Sequence, residues 1–263
     1  MMLHFYKYHG AGNDFIILNM LDNEIKLNSE QIRLLCDRHL GIGADGLMML
    51  LPSEEKDFIM KYYNSDGFEG SMCGNGGRCI ISFAYDMGIK KPGYSFMAVD
   101  GMHSGRILSV SENEKTVELQ MSDVSKVQML GEDMLMDTGS PHYLQFVEEV
   151  ESLDVFEKGK AIRYSDAFKK QGVNVNFVKE NADELFVRTY ERGVEAETLA
   201  CGTGVTAAAI AAGIRQQFQF TSFNIHTLGG ELKLRYQTKN GKDFTNIFLT
   251  GPAKKVFEGE INI

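Results

Sequence analysis

Two cysteine segments hold the residues best suited to chemistry. Ser71-Met72-Cys73-Gly74-Asn75-Gly76-Gly77-Arg78-Cys79 is echoed by Leu199-Ala200-Cys201-Gly202-Thr203-Gly204-Val205-Thr206-Ala207. Both share Cys-Gly-polar-Gly, both run into an apolar, helix-like stretch, and each has a glutamate four residues upstream, Glu69 and Glu197. The cysteines stand 128 positions apart (201 − 73), in different halves of a 263-residue chain. Small residues after each thiol let the backbone approach a ligand and expose the first-turn N–H groups of a helix. Those groups and the helix dipole favour a carboxylate. The same field raises the thiolate fraction of a cysteine. Two thiols on opposite sides of one anchored α-carbon would form a base and an acid for stereoinversion.

The elements that must position these thiols come from an ordinary globular composition, 43% hydrophobic and 24% charged. The length allows one large domain or two modest ones. A net charge of −9 with no long basic run argues against nucleic acid or an anionic membrane as the main partner. The start, Met1 to Lys7, lacks a signal-peptide layout, and no apolar run approaches the roughly 20 residues of a membrane helix. The expected compartment is the cytoplasm, where Cys36, Cys73, Cys79 and Cys201 are reduced. No Cys or His pair has zinc-site spacing, so no metal is expected.

Along the chain, Leu3 to Tyr8 and Phe15 to Leu18 read as strands around the turn His9-Gly10-Ala11-Gly12-Asn13-Asp14. Asn28 to His39 reads as a capped amphipathic helix with Cys36 on its apolar side. Gly41-Ile42-Gly43-Ala44-Asp45-Gly46 matches a dinucleotide pattern by letter only, because a helix precedes it and the strand-like Leu47 to Leu51 follows. Phe58 to Tyr63 is a strand candidate, and Gly74 to Met87 a helix ended by Gly88, with Cys79 as packing. Alternation from Ser95 to about Met136 reads as antiparallel sheet, followed by strands at Tyr143 to Val147, Val173 to Val178 and Leu185 to Tyr190. Gly202 to Ile214 is apolar all round, hence a buried helix. Further strands are read at Ser222 to His226, Glu231 to Tyr236 and Asn246 to Leu249, ending at Gly251-Pro252.

Several ordered motifs resemble the diaminopimelate epimerases, pyridoxal-independent enzymes of lysine and cell-wall biosynthesis. They are His9-Gly-Ala-Gly-Asn-Asp-Phe15, Gly41-Ile-Gly-Ala-Asp-Gly46, Asn64-Ser-Asp-Gly67, Met72-Cys-Gly-Asn-Gly76, Pro141-His142, Asn174-Val175, Glu191-Arg-Gly193 and Ala200-Cys-Gly-Thr-Gly204. The resemblance spans nearly the whole chain. It implies an α/β fold of two similar domains, each a barrel-like, mainly antiparallel sheet around a central helix, with the active site in the cleft between them. The second domain would be inserted in the first, giving 1–114 plus 251–263 and 115–250. It also implies that Cys73 and Cys201 are the acid/base pair interconverting LL- and meso-2,6-diaminopimelate. Gly74, Asn75, Gly202 and Thr203 would hold the reacting carboxylate through their backbone N–H groups. His142 and Glu191 would contact the reacting amine region or tune the thiols. Asn13, Asn64, Asn174 and Arg192 would bind the distal amino-acid group. No cofactor is implied; the partner is the small-molecule substrate, and a homodimer is an open expectation.

Three departures stand out. Gly46 replaces a common glutamine, Ser140 replaces a common asparagine, and Val194-Glu195-Ala196 lengthens the Glu191–Cys201 segment by one residue. The rival within the fold is a proline or hydroxyproline racemase. Those usually carry His after the first Cys-Gly and Pro before the second cysteine, where this chain has Asn75 and Ala200. Related phenazine-pathway isomerases lack the paired thiols. From other classes, the rivals are a dithiol redox protein using Cys73 and Cys201, and an amino-acid-binding module.

Overall fold

The computed structural model describes residues 2–22 and 25–263. The chain divides into two compact units, Met1–Leu119 with Gly251–Ile263, and Gln120–Thr250.

The first unit begins with β1 (Met2–Gly10) and β2 (Asn13–Asn19), then α1 (Ser29–Cys36), β3 (Gly46–Leu51), β4 (Phe58–Asn64), α2 (Gly74–Asp86), β5 (Tyr94–Ala98), β6 (Gly101–Val110) and β7 (Glu114–Gln120). β1 and β2 form a hairpin whose two turn residues, Ala11 and Gly12, both have positive φ. That turn geometry matches the twist of the strands it joins. α1 opens on a capping box: Asn28 Oδ1 accepts from the Gln31 amide, and the Gln31 side chain accepts from the Asn28 amide. It packs Ile32, Leu35 and Cys36 on Leu3, Phe5, Ile16, Leu18, Leu47 and Met49. The alternate residues Phe15 and Ile17 are buried on the opposite face of β2. A strand buried on both faces reads as a continuous apolar run, as β2 and β3 do.

The second unit holds β8 (Val127–Leu130), β9 (Asp133–Asp137), β10 (Pro141–Phe146), α3 (Val155–Arg163), β11 (Asn174–Asn181), β12 (Glu184–Glu191), β13 (Ala196–Thr198), α4 (Gly202–Arg215), β14 (Ser222–Thr227), β15 (Gly230–Thr238) and the start of β16 (Phe244–Asn262). The rest of β16 belongs to the first unit, where it pairs with both β7 and β1. The order β1-β2-β3-β4-β5-β6-β7-β16, with β16 back on β1, closes an eight-stranded barrel.

The two units share one connection scheme. In the first, β2–β3 and β4–β5 are the parallel pairs, bridged by α1 and α2. In the second, β10–β11 and β12–β14 are the parallel pairs, bridged by α3 and α4. Parallel neighbours need such crossovers; the antiparallel ones do not. α2 and α4 are each lined by the strands of their own unit. In α2 every residue from Gly74 to Ala84 is buried, and in α4 every residue from Gly204 to Gly213. The nearly all-small α4 fits because bulky residues come from the strands: a Cβ on Gly213 would sit 1.8 Å from the Tyr236 hydroxyl.

Three sequence expectations need correction, and one helix went unread. α1 ends at Cys36 rather than His39, because the Ile42 and Gly43 amides turn back onto the Leu35 carbonyl. β7 stays with the first unit through Leu119, so a break at 114/115 would cut a strand paired with β6 and β16. Gly251-Pro252 does not end a strand. β16 runs through it, with Pro252 opposite Thr116. α3 was not foreseen, since its short sequence contains Gly159; that glycine lets the helix lie against Tyr190, whose Cβ a side chain there would meet at 2.4 Å.

Candidate functional site

Cys73 is the N-cap of α2 and Cys201 the N-cap of α4, both with extended backbone. The helix ladders begin with Gly77 N–H to Cys73 O (2.8 Å) and Val205 N–H to Cys201 O (2.9 Å). The amides of Gly74, Asn75, Gly202 and Thr203 therefore lie ahead of the ladder, at the positive end of each helix dipole.

In the first unit the Gly76 amide donates to Cys73 Sγ at 3.3 Å. Asn13 Oδ1 lies 3.9 Å from the same sulfur and accepts from Asn75 Nδ2 at 3.3 Å. Two further bonds fix the amide orientations. Asn13 Nδ2 donates to Asp45 Oδ2 (2.6 Å), and Arg78 Nη2 donates to Asn75 Oδ1 (2.8 Å). Asp45 is in turn held by Arg38, which also forks onto Asp14. Burial pushes the Asp14 carboxyl up, but Arg38 and Lys7 outweigh it and hold it at about 2. The loop that mimics a dinucleotide motif thus serves to hold Asn13. Asn64 is exposed at the end of β4, opposite Gly46 and beside Gly70. A Cβ on Gly46 would meet the Tyr62 ring at 2.5 Å and the Tyr63 carbonyl at 2.6 Å. No glutamine fits there; Tyr62 fills the space.

In the second unit a directed hydrogen-bond chain ends at the thiol. Asn176 Oδ1 accepts from Thr189 Oγ1 (2.9 Å), while its Nδ2 donates to the Tyr143 carbonyl (3.1 Å) and to His142 Nδ1 (3.0 Å). With Nδ1 an acceptor, the proton of neutral His142 sits on Nε2. Nε2–H faces Thr203 Oγ1 at 2.9 Å and Ser140 Oγ at 3.1 Å. Ser140 Oγ also accepts from Asn174 Nδ2 (2.7 Å), and Asn174 Oδ1 accepts from the Arg192 amide (2.8 Å). Thr203 Oγ1 then lies 3.4 Å from Cys201 Sγ, with its hydrogen free to point at sulfur. His142 is fully buried. Burial lowers it to about 3, and the Arg192 charge acts in the same direction, so the imidazole is neutral at neutral pH.

Glu191 closes β12 and Arg192 opens the turn to β13, which takes up the extra residue: the Glu195 amide donates to the Glu191 carbonyl (2.8 Å), and Gly193 and Glu195 both have positive φ. Arg192 Nη1 donates to the Gln171 carbonyl on the exposed surface. The echoed glutamates take no such place. Glu197 is forked onto Arg188 at 2.6 and 2.8 Å, and Glu69 is exposed.

Sequence reasoning missed Asn176 and Arg78. The Asn174-Val175-Asn176 alternation puts both amides on one face of β11, and Arg78 is a lone charge inside an apolar helix. Both were readable signals.

A sequence model of diaminopimelate epimerase matches residues 5–127 and 134–256. The chain is 45% identical to the diaminopimelate epimerase of Flavobacterium psychrophilum, covering 97% of this chain and 99% of that one. It is 40% identical to that of Chlorobaculum tepidum (97% and 99%) and 37% identical to that of Aquifex aeolicus (99% and 98%). Among solved structures, a PhzF-family phenazine biosynthesis protein from Bacillus anthracis superposes with a TM-score of 0.79 at 15% identity over all of both chains. A hydroxyproline epimerase from Agrobacterium vitis gives 0.70 at 14% identity, over 99% and 92%. These distant structures share the fold. With the matched halves carrying the two cysteine caps and relatives aligned end to end, the chain belongs to the diaminopimelate epimerase family.

Proposed function

We propose that this epimerase interconverts LL- and meso-2,6-diaminopimelate with Cys73 and Cys201 as its acid and base. The single observation behind the two-thiol reading is that both cysteines cap the buried helix of their unit. One sulfur, as thiolate, takes the α-hydrogen as a proton, and its electron pair passes into the carboxylate. The other sulfur, as thiol, gives a proton to the opposite face. Charge and atoms balance with no redox step, and the reverse reaction exchanges the roles. Amides of Gly74, Asn75, Gly202 and Thr203 hold the carboxylate, whose charge grows as the proton leaves. His142 acts on Cys201 through Thr203, and Glu191 serves the reacting amine. Asn13, Asn64, Asn174 and Arg192 take the distal amino-acid group.

A thiolate enzyme needs a reducing compartment, which supports a cytoplasmic setting; among the described residues no helix is long and apolar enough to cross a membrane. A homodimer belongs to the same reading and is checked by light scattering. Cys73→Ala and Cys201→Ala each remove one proton carrier, so epimerisation should fall about 10²–10⁴-fold with unchanged circular dichroism. Near-normal turnover by either variant would sink the two-thiol mechanism.

A further inference from the structure

Arg78 is fully buried, yet its hydrogen-bond partners are all neutral oxygens: Gly74 O (3.2 Å), Asn75 Oδ1 (2.8 Å) and Pro252 O (3.4 Å). Among the described residues no carboxylate lies within ion-pair distance of it. A buried charge left uncompensated is costly, and a guanidinium does not escape by losing its proton. The titratable groups whose charge it feels are Cys79 and Cys73. Burial pushes the Cys79 thiol far up, which leaves it neutral.

The other charges around α2 are matched elsewhere. On β1, Lys7 pairs with Asp14 of β2, Tyr8 donates to Asp86 at the far end of the helix, and His9 Nδ1 accepts from the Gly12 amide. β3 carries no titratable side chain. On β6 and β7, Arg106 pairs with Glu118, Lys115 with Asp86, and His103 with Asp100. Lys254 of β16 acts on His9.

The echo supplies an internal control. At the same offset, Thr206 stands where Arg78 does, and both donate to the carbonyl of the helix's first residue: Arg78 Nη1 to Gly74 O, Thr206 Oγ1 to Gly202 O (2.9 Å). One copy has a fixed cation behind its cysteine cap and the other a hydroxyl. The cap geometry agrees: Cys73 Sγ accepts the Gly76 amide, whereas Cys201 takes no capping bond through its side chain. The Asn13 carbonyl opposes charge on Cys73, but at 3.9 Å it is at the outer limit of a sulfur hydrogen bond.

We infer that Arg78 is a positioning residue for the reaction: it locks the Asn75 amide and, as a fixed counter-charge, makes Cys73 the thiolate of the substrate-free protein while Cys201 remains the thiol. This rests on the two-thiol reading and adds which sulfur starts charged.

The test is the pH profile of iodoacetamide alkylation of each cysteine, read by peptide mapping of the intact, reduced, substrate-free protein. Cys73 should reach half-maximal reactivity at lower pH than Cys201. Arg78→Gln should raise the Cys73 midpoint by about one unit or more and leave Cys201 in place, and Arg78→Lys should fall between. A Cys201 midpoint at or below that of Cys73 in the unmodified protein overturns the inference, whether or not the variants fold. So does an unmoved Cys73 midpoint in Arg78→Gln protein with native circular dichroism. Because no substrate is present, either failure is distinct from a failure to epimerise diaminopimelate.

Discussion

The turn at Cys73 and the turn at Cys201 have the same backbone plan and different electrostatics. Each cysteine is an N-cap, each is followed by glycine, and each leads into a helix buried by its own unit. Behind Cys73 stand a cation and a backbone donor; behind Cys201 stand neutral side chains, His142, Thr203 and Asn176, joined in one directed chain. The plan follows from small residues and a helix start, which duplication copies together. The electrostatics depend on single side chains such as Arg78 and Thr206, which diverge freely within the copied frame.

The largest expected effect that sharpens this comparison is at Thr203. Thr203→Val keeps the shape and removes the hydroxyl between His142 and Cys201 Sγ. Losing a hydrogen bond to a charged group of about 1.5–3 kcal/mol lowers kcat/KM roughly 10–100-fold. The Cys201 alkylation midpoint should rise and that of Cys73 should not. Equal movement of both thiols would contradict two separate networks.

His142 gives a smaller effect, visible in stability. Its folded value of about 3 lies below the ordinary 6.5, so between those values the unfolded chain binds more protons. Stability is therefore fully present above 6.5 and is lost as pH falls towards 3, with a slope of at most about 1.4 kcal/mol per pH unit. Asp14 contributes the same direction only lower, between 3.8 and about 2. Urea unfolding of His142→Gln should accordingly show a flatter slope between pH 4.5 and 6.5 (roughly the window free of carboxylate titration). An unchanged slope would mean that His142 is not held neutral.

The smallest effect is expected at Thr206. Thr206→Val removes a bond to the Gly202 carbonyl, which the helix ladder also serves, and should cost about 1 kcal/mol or less with both alkylation profiles unmoved. A shift of either thiol would show that position 206 tunes charge as position 78 does.

Much of this was legible in the sequence because it depends on local pattern. The doubled Cys-Gly-polar-Gly marked both caps, Gly88 with its positive φ marked the end of α2, and the all-apolar run marked α4 as buried. What stayed hidden depends on distant partners. β16 continues through Pro252 because β7 and β1 are there to pair with it. Gly46 reads as a lost side chain until Tyr62 is seen in its place. Ser140 reads as a lost amide until it is found between Asn174 and His142.

The most direct measurement is proton NMR of the reduced protein with LL-diaminopimelate in heavy water, without added pyridoxal phosphate or metal. The account predicts the meso isomer, with deuterium at the inverted α-carbon delivered by the second thiol. Folded, reduced protein that gives neither meso product nor loss of the α-proton signal would contradict it.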